Sequence, residues 1–134
     1  TVYKWPLQRL VDLDITMVSE WQEPKTASPM DPEDGPVMVT VHYEIDPARM
    51  EEFRAVMKEI KMIRRRDGAI RWELFHDVAR PSRFLETFLV ESWAEHVRQH
   101  SRVIRSDLPI RALVRSFQVN GDTPIVSHLM FKKA

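Results

Sequence analysis

His96 and His100 lie four residues apart in a stretch that reads as helix, a spacing that can hold a metal ion from one side. No third ligand is evident and the His-Glu-x-x-His pattern is missing, so no metal site is expected. His100 also falls in an apolar stripe with Trp93, Val97 and Ile104. Two readings follow: a core histidine bonded to a backbone carbonyl, or one lining a cleft between helix and sheet. Trp72 and His76 are an even number of residues apart in a strand-like run, so they share a face. An indole offers a flat apolar wall with one donor, which suits a planar ligand, although core packing is its plainer use. If that face looks toward the helices, Trp72, His76, Trp93 and His100 are the candidates to line one ligand pocket. Parity alone does not say which face it is.

Other chemistry is not indicated. No nucleophile elbow, phosphate loop or paired-carboxylate motif is found, so no catalytic residue and no cofactor is assigned. Lys58, Lys61, Arg64, Arg65 and Arg66 crowd the end of one predicted helix, with Asp46, Glu51 and Glu52 at its start. That distribution complements the helix dipole. Contact with anionic lipid head groups is the alternative.

The elements that position these residues follow from periodicity. Residues 11–17 alternate apolar and polar, predicting a half-buried strand. Residues 22–36 collect Pro24, Pro29, Pro32, Gly35 and Pro36 and read as a linker or surface loop. Residues 1–36 are therefore expected to form an arm on a domain spanning residues 37–134. In that domain residues 37–45 read as a strand, and Asp46-Pro47 opens a helix with Met50, Phe53, Val56, Met57 and Ile60 along one stripe. Asp67-Gly68 ends it. Strands are expected over residues 69–76 and 84–91, joined by a proline-containing turn. Ser92 and Glu95 form a capping box ahead of a helix. A further helix follows Asp107, with Ile110, Leu113, Val114 and Phe117 on one face. Asn120-Gly121 turns the chain into a last strand over residues 125–131.

The order is β-α-β-β-α-β, predicting an α+β fold of ferredoxin-like type, with a four-stranded antiparallel sheet and helices on one face. The strands carry apolar residues on both sides. Val37, Val39, Val41 and Tyr43 oppose Met38; Ile70, Trp72 and Leu74 oppose Phe75; Phe84, Phe88 and Val90 oppose Leu85 and Leu89. A sheet with one wet face alternates more cleanly. A homodimer packed sheet to sheet, a dimeric α+β barrel, is therefore expected.

Composition bounds the rest. The 134 residues suit one domain, which buries roughly 65% of its unfolded surface. Twenty basic and twenty acidic residues cancel, removing the electrostatic case for nucleic acid. With no Cys there is no disulfide framework or thiolate metal site, consistent with a reducing compartment. No apolar run reaches the ~20 residues of a membrane-spanning helix, and residues 1–6 lack the apolar segment of a secretory leader. The chain opens on Thr1 rather than Met, so a piece of a longer or processed protein is expected.

Several motifs carry a resemblance. Arg64-Arg65-Arg66-Asp67-Gly68-Ala69-Ile70-Arg71-Trp72 is similar to the C-terminal domain of the transmembrane secretion effector family, exporters of the major facilitator superfamily. So are the run Glu86-Thr87-Phe88-Leu89-Val90-Glu91-Ser92-Trp93-Ala94-Glu95-His96-Val97-Arg98-Gln99-His100 and the segment Val126-Ser127-His128-Leu129. Trp21-Gln22-Glu23-Pro24 resembles the segment following the last membrane helix of that family. The resemblance implies a domain similar to the antibiotic biosynthesis monooxygenase superfamily, with transporter helices upstream of Thr1 and the domain on the cytoplasmic face of the membrane. It implies a dimerisation or small-molecule-sensing module. A monooxygenase-like enzyme acting on a planar compound and a purely structural module are the alternatives. Enzymes of that superfamily lean on Asn, Trp, His or Tyr in the cleft. Here the only Asn is Asn120, in a turn, and the tyrosines are Tyr3 and Tyr43, so no catalytic residue is carried over.

Overall fold

A computed structural model describes Thr26, residues 29–101 and residues 105–134, with the backbone alone at residues 100, 101 and 120. The strand expected over residues 11–17, the Trp21-Gln22-Glu23-Pro24 segment and Ile104 lie outside the described residues.

These residues form a four-stranded antiparallel sheet from β1 (Val37–Glu44), β2 (Arg71–His76), β3 (Arg83–Val90) and β4 (Ile125–Met130), in the order β2-β3-β1-β4. Helices α1 (Met50–Arg66), α2 (Trp93–Ser101) and α3 (Leu108–Ser116) connect them, with short 3₁₀ turns at Pro47–Arg49, Arg105–Asp107 and Val119–Gly121. This is the expected ferredoxin-like α+β order, with strand ends moved by a residue or two. Ile45, expected to close the first strand, instead makes an isolated bridge to Gln118. No helix among the described residues is long and apolar enough to cross a membrane.

Register separates the two faces of the sheet. Val37, Val39, Val41 and Tyr43 of β1 and Phe84, Phe88 and Val90 of β3 are buried beneath the helices. Phe53, Met57, Ile60 and Ile63 of α1 close over them. Phe53 is the hub: its ring meets Tyr43 at 5.2 Å, Phe84 at 5.2 Å and Phe117 at 5.7 Å. The end of α1 is set by Gly68, whose positive φ of 119° lets the chain reverse. Ala69 N–H then donates to Arg64 O and Gly68 N–H to Arg65 O, a Schellman closure.

The stretch read as a linker from its prolines is, over residues 30–36, fastened to the domain. Met30 packs on the core. Trp93 N–H donates to Asp34 O at 2.7 Å and Ala94 N–H to Pro32 O at 2.9 Å. Two of the donors that every helix leaves open at its start are thereby satisfied. A side chain at Gly35 would collide with the carbonyl oxygen of Glu91, so only glycine lets this segment pass so close. A third donor, Glu95 N–H, reaches Ser92 Oγ at 3.1 Å, the forward half of the expected capping box. Ser92→Ala should lower stability by about 1 kcal/mol. A urea titration resolves that loss, and an unchanged midpoint would mean that the two arm carbonyls hold α2 without the serine.

Candidate functional site

The inward parity of β3 runs Phe84, Glu86, Phe88, Val90, so a carboxylate stands among core side chains. Glu86 is fully buried, and its two oxygens accept four hydrogen bonds among the described residues. Oε1 receives Tyr43 Oη–H at 2.8 Å and Arg64 Nη2 at 3.3 Å; Oε2 receives Arg64 Nε at 2.9 Å and Trp72 Nε1 at 2.9 Å. Arg64 lies on the buried stripe of α1, eleven residues after Phe53 and four after Ile60, and its guanidinium also covers the Phe88 ring at 4.6 Å. Burial alone would raise the Glu86 carboxyl, but the charge of Arg64, followed by the hydrogen bonds, outweighs it and holds the group below the usual carboxylate range. Burial and then the Glu86 charge push the Tyr43 hydroxyl well above its ordinary value. A carboxylate offers about four acceptor sites. Here all are in use and the group stays charged, so the cluster holds β1, β2, β3 and α1 together rather than moving protons.

A second ionic group sits where α1 ends and α3 begins. Arg66 donates through both terminal nitrogens to Asp107, at 3.0 Å for Nη1 to Oδ1, and through Nε to Asp67 Oδ1 at 2.9 Å. Buried Arg111 faces Asp67 Oδ2 at 3.9 Å. Burial, then the nearby positive charge of Arg64, lowers the Arg111 guanidinium to about 10. These contacts correct the reading of the basic helix end. Arg64 is buried against Glu86 and so is lost to a lipid surface, while Arg66, its side chain 43% exposed, is ion-paired with Asp67 and Asp107 at the surface.

The four sequence candidates are placed as follows. Trp72 faces the helices and gives its indole N–H to Glu86. His76 shares that face but is exposed at the end of β2; its ring stacks on Phe84 at 4.2 Å, and its Nε2–H donates to Pro81 O at 2.8 Å. Trp93 opens α2 and packs against His96 and, edge-on, against His128. His100 lies on α2, and its side chain is outside the described residues. The structure does not bring the four together. Trp72 lies in register with Phe88, Val39 and then His128, so about 14 Å of sheet separates it from the ring that Trp93 touches. His96 is buried 4.7 Å from His128, ring to ring. Among the described residues no three His, Cys, Asp or Glu side chains stand close enough to hold a metal ion.

The opposite face of the sheet carries three cross-strand rows. The first is Arg71, Leu89, Met38, Leu129; the second Glu73, Thr87, Thr40, Ser127; the third Phe75, Leu85, His42, Ile125. Two largely apolar rows thus flank a polar one of three hydroxyls and the Glu73 carboxylate. Phe75, Leu129 and Ile125 remain 50%, 53% and 65% exposed. At one end of the third row His42, Phe75, His76, Asp77, Arg83 and Leu85 line a cavity of about 220 Å³. Of the four sequence candidates His76 alone borders it.

A family model described as transmembrane secretion effector matches residues 1–134. No curated protein matches the chain. Among solved structures, one assigned as an antibiotic biosynthesis monooxygenase from Bordetella bronchiseptica is 19% identical over 75% of this chain and 98% of that one, with a TM-score of 0.61. A second with that assignment, from Caulobacter crescentus, is 14% identical over 75% of this chain and 93% of that one, at 0.62. A variant of SnoaB, a cofactor-independent oxygenase from Streptomyces nogalater, is 16% identical over 73% and 92% of the two chains, at 0.54. At such identities the likeness is one of fold.

Proposed function

Because the chain belongs to the transmembrane secretion effector family, we propose that it forms the cytosolic dimerisation and small-molecule-sensing domain of an exporter. The open sheet face is the surface that joins it to a second copy of itself. The observation that carries this reading is the three-row pattern on that face. A twofold axis lying in the interface along the strands, through the middle row, sets each apolar row against its own copy and places Glu73 opposite a hydroxyl rather than a second carboxylate. Such self-complementarity is what an isologous contact requires. It also covers Phe75, Leu129 and Ile125, which otherwise stand exposed on that face. The family match supports reading the chain as part of an exporter whose membrane-spanning part lies upstream of Thr1. A catalytic role draws less support, because the buried carboxylate that could have served as an acid or base is saturated by Tyr43, Arg64 and Trp72.

Sedimentation equilibrium tests the reading. The wild-type chain should be a dimer at tens of micromolar, the ordinary range for a specific interface. Leu129→Glu should be a folded monomer, since the side chain is exposed in the single copy but would bury an unpaired charge in the pair. A monomeric wild type, or a Leu129→Glu variant that still pairs, removes the open face as the interface.

A further inference from the structure

From the cavity at the end of the third row we infer a binding site for a small neutral phenol, closed on its open side by the second copy of the chain. The inference deepens the proposed function and rests on it only for that closing wall. Size comes first. A cavity of about 150 Å³ accommodates benzene, so about 220 Å³ accommodates one aromatic ring with small substituents and excludes a fused polycycle. The walls suit a ring: Phe75 and Leu85 are neighbours across β2 and β3 and form its apolar side.

Polar chemistry then selects the substituent. Asp77 and Arg83 stand in the same wall with opposite charges, so a carboxylate meets a like charge at Asp77 and an ammonium meets one at Arg83. Glu44, shared between Arg80 Nη2 at 3.1 Å and Arg83 Nε at 3.6 Å, leaves the charges around this wall balanced, with no net charge to hold an ionised ring. A neutral hydroxyl both donates and accepts, matching an acceptor carboxylate, a donor guanidinium and two imidazoles at once. The His76 tautomer is fixed by Pro81 O, which accepts from Nε2–H and leaves Nδ1 as an acceptor. His42 Nδ1 in this wall is out of water and makes no hydrogen bond among the described residues, and Arg83 Nε has only its ion pair with Glu44. A buried acceptor or donor left without a hydrogen bond is unfavourable, which marks the wall as incomplete in the single chain. Because His42, Phe75 and Leu85 belong to the third row of the open face, a second copy seated there turns the cleft into a chamber.

The test is a titration of the full chain with p-cresol, benzoate and benzylamine, read from the imidazole signals of His42 and His76 by NMR. p-Cresol should saturate and bind at least about ten-fold tighter than either charged ring. Leu85→Trp, which fills the cavity, and Phe75→Ala, which removes its flat wall from an exposed position, should each weaken p-cresol by at least about ten-fold. Equal binding of all three rings overturns the site. So does p-cresol binding that survives Leu85→Trp or is lost on Trp72→Ala instead. The closing wall is tested separately. The monomeric Leu129→Glu variant should bind p-cresol several-fold more weakly than the dimer, and equal affinity overturns the chamber. A wild-type chain that sediments as a monomer overturns the dimer, and the Leu85→Trp result then decides the site alone.

Discussion

Glu86→Gln should lower the unfolding free energy by about 3–5 kcal/mol, the usual cost of leaving one partner of a buried ion pair without its counter-charge. The uncompensated partner is Arg64, which is buried and donates two hydrogen bonds to the carboxylate it would lose. Tyr43 and Trp72 donate to different oxygens, so only one of them would keep an acceptor, now a neutral amide oxygen, while the other would face the amide NH2. Stability in the wild type should also carry an acid-dependent component from this group. The Glu86 carboxyl is held below its ordinary value in the fold, so below that ordinary value the unfolded chain binds the proton more readily. Its contribution is complete above the unfolded glutamate pKa, about 4.3, and is lost as the pH falls through the lowered folded value. Urea unfolding from pH 7 to pH 3 should therefore show a shallower acid loss in Glu86→Gln than in the wild type. Adding Arg64→Met should recover part of the deficit, because the stranded charge is then removed. Strictly additive losses would mean that the two groups do not act as a pair.

Phe53→Ala carries the other large effect, about 3–5 kcal/mol. Phe53 is fully buried and its ring joins three others, from β1, β3 and the end of α3. Truncation deletes the transfer energy of the ring and three aromatic contacts, and leaves a void that α1 cannot fill without leaving the sheet. The urea midpoint should fall with little change in slope. A loss below about 2 kcal/mol would mean that α1 settles onto the sheet and closes the gap.

The fold could be read from residues 37–134 because its elements are strongly periodic and sharply ended. Asp46-Pro47, Asp67-Gly68 and Ser92 stand where the helices begin or stop, and alternation in Val37–Glu44 sorted its residues onto two faces without saying which one turns inward. The inner cluster was harder to see. Glu86 occupies an inward position between Phe84 and Phe88, and a lone charge in that parity was the available signal. Arg64 was masked by its neighbours: in a run of three arginines it passed for surface charge, although its spacing from Phe53, Met57 and Ile60 places it on the buried stripe. The convergence of Trp72 with Trp93 could not be judged from one strand at a time. Only the order β2-β3-β1-β4 shows that they belong to opposite edges. The cavity beside His42 was likewise out of reach, since it joins residues from three strands and the turn between β2 and β3.

The fastening of residues 30–36 ties the segment ahead of β1 to the first turn of α2. β1 is an inner strand, gripped on one side by β3 and on the other by β4, and yields little to a pull on its start. A tug arriving from upstream reaches Pro32 and Asp34 first, and those residues hand it to the opening turn of α2 through two hydrogen bonds. Trp93 and His96 ride on that turn, over His128 of β4. A pull on residues 30–36 would therefore load the start of α2 before it loads the sheet.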